Sequence, residues 1–298
     1  MSNSNDNREG ALNLLLCTNG TPHTIHAIDL GVQIAEAIAG SVDILSIVDR
    51  QGRTPEICRI AEEAKGSLEA KRIPTAILER TPPLVDAVIQ QTRIKPYDLV
   101  VIGSRGRKGV TRLLLGSVAL RVSEHTPGSV LIVKGRPRPF RRFLVCSSAG
   151  PASEQTVRFA GQLARSLDAT LTLLHVMSQL PIVKDAYLAD LEAPAEDLIA
   201  CQSREGLHLQ AMTQYLTQTG LKTRAVVRHG LVQDEIITEA KEGRYDLLIT
   251  GAHFTPGLDE RLVNDLSADL LLAIDRPVLI VRQPQMHSSD RNLNPVHE

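Results

Sequence analysis

The loop that follows the apolar run "DLVVIG" carries glycines and a serine whose spacing suits the binding of an anion. Gly103, Gly106, Gly116 and Ser117 form the pattern G-x2-G-x9-G-S. Glycines after a buried strand let backbone N–H groups approach an anion where a Cβ would intrude. Ser117 can cap a following helix, or offer its hydroxyl to a phosphate beside the free N–H groups of the first turn. The pattern therefore predicts a phosphate-binding loop.

The same loop is rich in cations, although the chain has a formal net charge of −1. Arg105, Arg107, Lys108 and Arg112 lie within eight residues, and such donors suit phosphate oxygens. A solvated basic surface is the alternative, and it is the favoured interpretation of Arg107, Lys108 and Arg112 taken singly.

An internal repeat organises the elements that must position this loop. "LLLCTNGTPHT" (14–24) corresponds to "FLVCSSAGPAS" (143–153) at an offset of 129, and "PYDLVVIGSRG" (96–106) to "RYDLLITGAHF" (244–254) at an offset of 148. The second copy therefore has 19 extra residues, all between its second strand and Tyr245. We predict domain 1 at 11–135 and domain 2 at 141–284, joined by a linker at 135–142, with flexible tails at 1–10 and 285–298.

Within domain 1, short apolar runs alternate with segments of helical periodicity. The predicted strands are "LNLLLC", "SVDILSIV", "TAILE", "DLVVIG" and "SVLIV", and helices are expected at about 24–39, 55–71, 83–94 and 117–125. This alternation predicts βαβ crossovers and a parallel sheet. In such a sheet ligands bind beyond the carboxyl ends of the strands, where the strand order reverses. The candidate loops therefore follow strands one, two and four.

These features resemble the universal stress protein family in its tandem form. The resemblance covers about 11–135 and 141–284, and it depends on the glycine-serine spacing between "DLVVIG" and "VLIV". It implies two α/β sandwich domains of the adenine nucleotide alpha-hydrolase-like type, each with a five-stranded parallel sheet in the order 3-2-1-4-5. It also implies that ATP or a related adenine nucleotide binds in domain 1.

The resemblance assigns the parts of the nucleotide to positions of this chain. The ribose and triphosphate map to the loop after strand four, and the adenine maps to the ends of strands one and two, partly through backbone groups. The implied cofactor-binding residues are Thr18, Asn19, Ile47, Val48, Gly103, Ser104, Arg105, Gly106, Gly116, Ser117 and Val118.

One of these residues departs from the family pattern. The family usually has Asp at the end of strand one, where this chain has Asn19. An amide can hydrogen-bond a base or a sugar, but it binds Mg²⁺ less well than a carboxylate does. The sequence therefore leaves a Mg²⁺ requirement open, and no metal ligand is assigned.

Domain 2 has lost most of the glycine-serine pattern. At the offset of 148, Gly103 corresponds to Gly251. The other three positions of the pattern, Gly106, Gly116 and Ser117, correspond to Phe254, Asn264 and Asp265. A ring would block the approach of backbone to phosphate, and a carboxylate beside a phosphate is repulsive. Domain 2 is therefore expected not to bind a nucleotide in the family's mode.

Composition limits the remaining functions. Hydrophobic residues make up 43% and aromatic residues 3%, so the cores must be aliphatic. The near-zero net charge gives no general attraction to nucleic acid or to an anionic membrane. No apolar run approaches the length of a membrane span, and no signal peptide core is present, which predicts a cytoplasmic protein. The cysteines have no metal-ligand spacing, and His23, His26 and His175 are interpreted as ordinary surface or structural residues.

The leading function is a stress-response regulatory protein that binds an adenine nucleotide in domain 1 and uses domain 2 as a pseudo-symmetric partner. A slow ATPase or autophosphorylating enzyme is one alternative, although no general base, and thus no catalytic residue, is identified. The other alternative is an interaction module in which the nucleotide sites of both domains are vestigial. The apolar final strands "SVLIV" and "PVLIV" predict that the two domains pair through these edges within one chain, and a further homodimer remains open.

Overall fold

A computed structural model of the chain describes residues 12–48, 55–81, 83–104, 117–135, 138–178, 195–200, 202–252 and 260–282, and it describes no side chains at 117 or 260–265. The predicted tails at 1–10 and 285–298 lie outside these residues, as do Arg105, Gly106, Gly116 and Phe254.

Domain 1 alternates strands and helices throughout. Its elements are β1 (Leu12–Thr18), α1 (Pro22–Ile38), β2 (Ala39–Ile47), α2 (Pro55–Ala70), β3 (Thr75–Arg80), α3 (Leu84–Ile94), β4 (Leu99–Ser104), α4 (Ser117–His125) and β5 (Ser129–Lys134). Each predicted strand and helix is present, with α4 at its predicted bounds and the other ends shifted by at most two residues. The helix α1 starts earlier than its periodicity predicted because Pro22 opens it, a position where the missing N–H is not needed.

Domain 2 repeats the same order with one additional helix. Its elements are β6 (Arg142–Ser147), α5 (Pro151–Ser166), β7 (Thr170–Met177), α6 (Ala195–Ala200), α7 (Arg204–Gln218), β8 (Thr223–His229), α8 (Val232–Glu242), β9 (Leu247–Gly251), α9 (Glu260–Ala273) and β10 (Val278–Val281). The added helix α6 lies between β7 and α7, which is where the 19 extra residues of the second copy fall.

The strands form one sheet in the order β3-β2-β1-β4-β5-β10-β9-β6-β7-β8. Within each domain all the strand pairs are parallel. The predicted order 3-2-1-4-5 is therefore confirmed in both halves. The reversal of strand order falls between β1 and β4 in domain 1 and between β6 and β9 in domain 2, which places a crevice at the carboxyl edge of each half.

The two halves meet where β5 pairs antiparallel with β10. Val278 lies opposite Ile132, Leu279 opposite Leu131, and Ile280 opposite Val130. Leu131 and Leu279 are equivalent positions of the repeat at the offset of 148. A pseudo-two-fold axis therefore passes between them.

A buried lysine and a half-buried arginine cross this junction in a reciprocal way. The Lys134 ammonium donates to the carbonyl oxygens of Leu271 and, at 2.6 Å, of Ile274, at the end of α9. At the equivalent position of domain 2, the Arg282 guanidinium donates to the carbonyl oxygen of Ser123 near the end of α4. The last carbonyls of a helix lack intrahelical partners and carry partial negative charge. Each domain thus places a cation on the last helix of the other.

The core is almost entirely aliphatic and continuous across the junction. One face of the sheet packs against α1, α2, α5 and α7, and the other against α3, α4, α8 and α9. Each of the two apolar clusters contains residues from both domains. Cys17 and Cys146 behave as small hydrophobes, because burial raises the pKa of both thiols, that of Cys146 to about 12. No helix within the described residues is long and apolar enough to cross a membrane.

A tyrosine held by a carboxylate lies near the amino edge of the domain 1 sheet. The Tyr97 hydroxyl donates to Asp43 Oδ2 at 2.5 Å and accepts from Gln91 Nε2 at 2.9 Å. Lys95 Nζ donates to the same Asp43 oxygen at 2.8 Å. Burial, reinforced by the bond to Asp43, raises the pKa of Tyr97. The phenol therefore stays a neutral donor.

Domain 2 keeps the tyrosine and moves the carboxylate. The Tyr245 hydroxyl donates to Glu239 Oε1 at 2.6 Å, and Arg228 Nε donates to Glu239 Oε2 at 2.7 Å. Burial alone would raise the pKa of Glu239, but the bonds from Tyr245 and Arg228, with the charges of Arg228 and Arg224, hold it below its ordinary value. In the repeat, Glu239 corresponds to Gln91, and Thr172 corresponds to Asp43. The carboxylate that binds the tyrosine thus lies on the second strand in domain 1 and on the helix after the third strand in domain 2.

This exchange predicts a rescue experiment in domain 1. Asp43→Thr removes the acceptor of a buried hydroxyl, so it should lower the free energy of unfolding by about 1–3 kcal/mol. Adding Gln91→Glu should recover most of the loss, because it recreates the arrangement of domain 2. Urea denaturation followed by circular dichroism measures both changes. Gln91→Glu alone is the control and should destabilise, since it brings two carboxylates to Tyr97. A double variant no more stable than Asp43→Thr would contradict the exchange.

Candidate functional site

The crevice of domain 1 opens because β1 and β4 separate before they end. Their pairing stops at Leu16 opposite Val101, whereas β1 continues to Thr18 and β4 to Ser104. The helices α1 and α4 both begin at this edge, after β1 and β4 respectively. The backbone N–H groups at the start of α4 therefore border the gap, which favours an anionic ligand. In α1, Pro22 has no N–H, and the N–H groups of Thr24 and Ile25 already donate to the Thr21 carbonyl oxygen.

The loop after β1 is held in shape by its own side chains. Asn19 Oδ1 accepts hydrogen bonds from the Thr21 backbone N–H at 3.3 Å, from Thr21 Oγ1 at 2.7 Å and from Thr24 Oγ1 at 3.2 Å. Gly20 adopts a φ of +77°, and a Cβ there would lie 2.5 Å from Ile57 Cγ1. The loop is therefore preformed, and it needs glycine at this turn.

These bonds decide what Asn19 can offer to a ligand. Its carbonyl oxygen is used by three donors of its own loop, so the group that remains is the amide Nδ2, a hydrogen-bond donor. Mg²⁺ takes oxygen ligands. Asn19 therefore does not fit a metal, and the described part of the chain contains no cluster of His, Cys, Asp or Glu that could hold one. It does fit a base or sugar acceptor.

The end of β2 adds a polar group that sequence reasoning missed. Ser46 lies in register with Thr18, which places both side chains on the same face of the sheet. The Ser46 Oγ is buried and has no hydrogen-bond partner among the described residues. A buried hydroxyl without a partner is costly, and a bound ligand would remove that cost. The signal in the sequence was a serine inside the apolar run "DILSIV".

The two predicted residues at this end of β2 differ in what they offer. Ile47 is buried, and Val48 is half-buried just past the end of the strand. The Val48 N–H already donates to the Arg80 carbonyl oxygen at 2.9 Å. Val48 can therefore contribute its carbonyl oxygen to a base, whereas its N–H is already used in the pairing of β2 with β3.

Gly103 has a structural role that the glycine pattern did not suggest. A Cβ at this position would lie 2.5 Å from the His23 carbonyl oxygen and 2.8 Å from Thr24 Cα. The first turn of α1 thus crosses directly over β4, and only glycine leaves room for it. Gly103 positions the helix that borders the crevice, whatever the crevice binds.

The structure brings together only part of the predicted site. Thr18, Asn19, Ile47, Val48, Gly103 and Ser104 lie at the carboxyl edge, and α4 begins at Ser117, with Val118 exposed. Arg105, Gly106 and Gly116 lie outside the described residues, together with Arg107, Lys108 and Arg112.

A hydrogen-bond network lies at the matching position of domain 2, where β6 ends. Ser147 and Ser153, equivalent to Thr18 and Thr24, have their hydroxyl oxygens 2.7 Å apart. His208 Nε2, on α7, lies 2.7 Å from Ser147 Oγ, and His175 Nδ1 lies 2.9 Å from the Ser147 carbonyl oxygen. Burial lowers the pKa of His208, partly offset by the charge of Glu154.

Neutral His208 therefore fills the position where α2 of domain 1 carries Ile60, and it joins α7 to β6. His175 has a backbone partner, which agrees with its interpretation as a structural residue.

Comparisons with known proteins identify the family. The model of the Universal stress protein family matches twice, over residues 12–134 and 139–282. The chain belongs to the universal stress protein family. Its two matches confirm the tandem form expected from the repeat.

Individual relatives agree with this assignment. A universal stress protein of Methanocaldococcus jannaschii is 28% identical over 127 residues, covering 42% of this chain and 71% of the relative. Universal stress protein YxiE of Bacillus subtilis is 24% identical over 147 residues, covering 48% of this chain and 99% of the relative.

Solved structures show the same fold over nearly the whole chain. A universal stress protein from Pseudomonas aeruginosa aligns with a TM-score of 0.68 at 13% identity, covering 93% of this chain and 95% of that one. One from Archaeoglobus fulgidus aligns with a TM-score of 0.64 at 16% identity, covering 91% and 98%.

The role of Gly103 gives a stability prediction. Gly103→Ala should lower the free energy of unfolding by about 1–3 kcal/mol, because its Cβ would press against backbone that cannot move aside as a flexible side chain would. Gly66→Ala is the matched control: Gly66 lies within α2 with no atom within 4 Å of a Cβ, and alanine there should stabilise by about 0.5–1 kcal/mol. Urea denaturation measures both. Equal effects of the two substitutions would refute the close approach of α1.

Proposed function

We propose that the protein is a stress-response regulatory protein that binds ATP or a related adenine nucleotide in domain 1, over 11–135. The observation that carries this proposal is the position of the G-x2-G-x9-G-S loop. It joins β4 to α4 at the strand-order reversal, beside the ends of β1 and β2. The family to which the chain belongs supports the same class of function.

The proposed pocket divides into a base side and a phosphate side. On the base side, Asn19 Nδ2 donates, the Val48 carbonyl accepts, Thr18 and Ile47 form the wall, and Ser46 Oγ gains a partner. On the phosphate side, the backbone N–H groups from Gly103 to Gly106 and those of the first turn of α4 meet the phosphates. The side chains of Arg105 and Ser117 add donors, with Ser104 and Val118 completing the loop. Oriented N–H groups and a guanidinium suit three phosphates without a metal.

We propose that domain 2, over 141–284, binds no nucleotide and acts as the structural partner of domain 1. Its loop carries Phe254, Asn264 and Asp265 in place of the phosphate-binding residues. At the end of its first strand, Ser147 Oγ is already hydrogen-bonded to His208 Nε2 at 2.7 Å. Pairing of β5 with β10 gives it a role, because each covers the apolar edge of the other.

The proposal predicts one nucleotide per chain. Isothermal titration calorimetry with ATP should give a stoichiometry near one, and Gly106→Val should weaken binding at least about tenfold, because a side chain intrudes where backbone meets phosphate. Gly150→Val, in the strand-one loop of domain 2, is the control; nothing lies within 4 Å of a Cβ there, and affinity should not change. A stoichiometry near two would refute the difference between domains. Phosphate release under saturating ATP would favour the enzymatic alternative, and no binding at all would favour the interaction module.

Asn19 predicts a weak dependence on Mg²⁺. Replacing Mg²⁺ by EDTA should change the ATP affinity of the wild-type chain less than about threefold, whereas Asn19→Asp should make it clearly Mg²⁺-dependent, since a carboxylate supplies an oxygen ligand that the amide oxygen cannot. The aspartate can keep the three loop hydrogen bonds, so the unfolding midpoint should stay the same. A wild-type chain that loses ATP in EDTA while keeping this midpoint would contradict the assignment of Asn19 as a donor.

A further inference from the structure

The amino edge of the domain 2 strands holds a cavity, at the opposite end of these strands from the crevice of domain 2. It is bordered by β7, β8, the end of α7 and the segment between α8 and β9. Its volume is about 630 Å³, a size that accommodates a small molecule.

The side chains around this cavity are strongly cationic. Arg142, Lys222, Arg224 and Arg244 line it, and none of its described lining residues is acidic. Four cations around one cavity are unexpected in a chain with a formal net charge of −1. Like charges repel, so their grouping without acids favours an anionic occupant.

One of the four cations is held in place. Arg224 Nε donates to Thr172 Oγ1 at 3.2 Å, and its terminal nitrogen donates to the Tyr245 hydroxyl at 3.0 Å, although the side chain is 65% exposed. Its nearest carboxylate, Glu239 at 4.0 Å, is already paired with Arg228 at 2.7 Å. The guanidinium is therefore oriented in advance, and it shares the charge of Glu239 with Arg228.

The threonine hydroxyls of the cavity differ in what they can offer a ligand. Those of Thr170 and Thr217 already donate to the carbonyl oxygens of Arg141 and Thr213, and that of Thr172 accepts from Arg224. Thr170, Thr172, Thr217 and Thr223 all line the cavity. The Thr223 Oγ1 is buried and has no hydrogen-bond partner among the described residues. Its equivalent in domain 1, Thr75, donates to the Ile73 carbonyl oxygen at 3.0 Å. Domain 2 thus leaves a buried hydroxyl unsatisfied at the place where cations gather.

Domain 1 serves as an internal comparison, since the repeat gives every lining position an equivalent. The four cationic positions correspond to Asn13, Pro74, Ala76 and Pro96. The charged residues of the same region in domain 1 are Asp43, Glu69 and Lys95, and domain 2 replaces them by Thr172, Thr217 and Gly243. Lys95 lies against Asp43 and over the ring of Tyr97. Domain 2 has therefore lost two acids and a covering side chain and gained four cations at one place.

We propose that this cavity, which we call the basic cavity, is a binding site for a small phosphorylated molecule. The fixed Arg224 and the Thr223 hydroxyl would hold the phosphate, and Arg142, Lys222 and Arg244 would neutralise it from the rim. The basic cavity is distinct from the nucleotide site proposed for domain 1, because residues of domain 2 alone line it.

Titration of the labelled full chain with inorganic pyrophosphate, followed by NMR at constant ionic strength, tests the proposal. We expect saturable shifts of the amide signals of 170–172, 222–224 and 243–245. Lys222→Ala/Arg244→Ala should weaken this binding about tenfold, because each charge lost near the ligand removes a few-fold in affinity. Thr217→Glu, which restores the acid of domain 1 at an exposed position, should weaken it as well. The domain 2 shifts should persist in Gly106→Val, which separates this site from the nucleotide loop.

The matched control is Lys71→Ala/Arg93→Ala, which removes the same charge from exposed positions of domain 1 and should leave the domain 2 shifts unchanged. Absence of shifts at the three segments would overturn the proposal. An equal loss in the control would do so too, since binding would then reflect overall charge. Tighter binding of a single-stranded oligonucleotide than of pyrophosphate would overturn the small-molecule assignment in favour of a polymer.

Discussion

The antiparallel pairing of β5 with β10 is the contact on which the ten-stranded sheet depends. Without it, each strand would expose an apolar edge with unpaired backbone groups. Lys134 and Arg282 depend on the same contact, because each donates to helix carbonyl oxygens of the other domain. A buried cation without such partners is very costly. Backbone pairing, apolar burial and charge satisfaction therefore all favour one arrangement of the two halves.

This arrangement explains which features of the repeat persist and which diverge. Tyr97 and Tyr245 both need a buried acceptor, and the acceptor persists even though it moves from Asp43 to Glu239. The hydroxyl pair that ties the first strand to its helix also persists, as Thr18 with Thr24 and Ser147 with Ser153. Hydrogen bonds that the fold requires are thus kept even where the residues that make them differ between the domains. The phosphate-loop pattern and the basic cavity are each present in one domain alone, as expected for groups that serve a ligand rather than the fold.

Glycines close together in the sequence serve different purposes in the structure. Gly103 lies under α1 and Gly20 holds a left-handed turn against Ile57, so both shape the crevice by packing. Gly106 and Gly116 have a different proposed role, because there the missing side chain would leave room for phosphate. A pattern of glycines therefore mixes residues that build a site with residues that would contact the ligand, and stability measurements separate the two.

Much of this protein could be predicted from its sequence because the repeat and the apolar periodicity are local patterns. The element types follow from these patterns, the glycine-serine spacing points to the family, and the resemblance to that family implies the strand order. Other features depend on contacts between residues far apart in the chain, and only the tertiary structure decided them. Ser46 became a candidate because folding buries its hydroxyl without a partner. The Val48 N–H proved to be used by Arg80, and His208 reached Ser147 across 61 positions of sequence. Likewise, the four cations of domain 2 are scattered from 142 to 244 and form one cavity only because parallel strands bring their amino ends to the same edge.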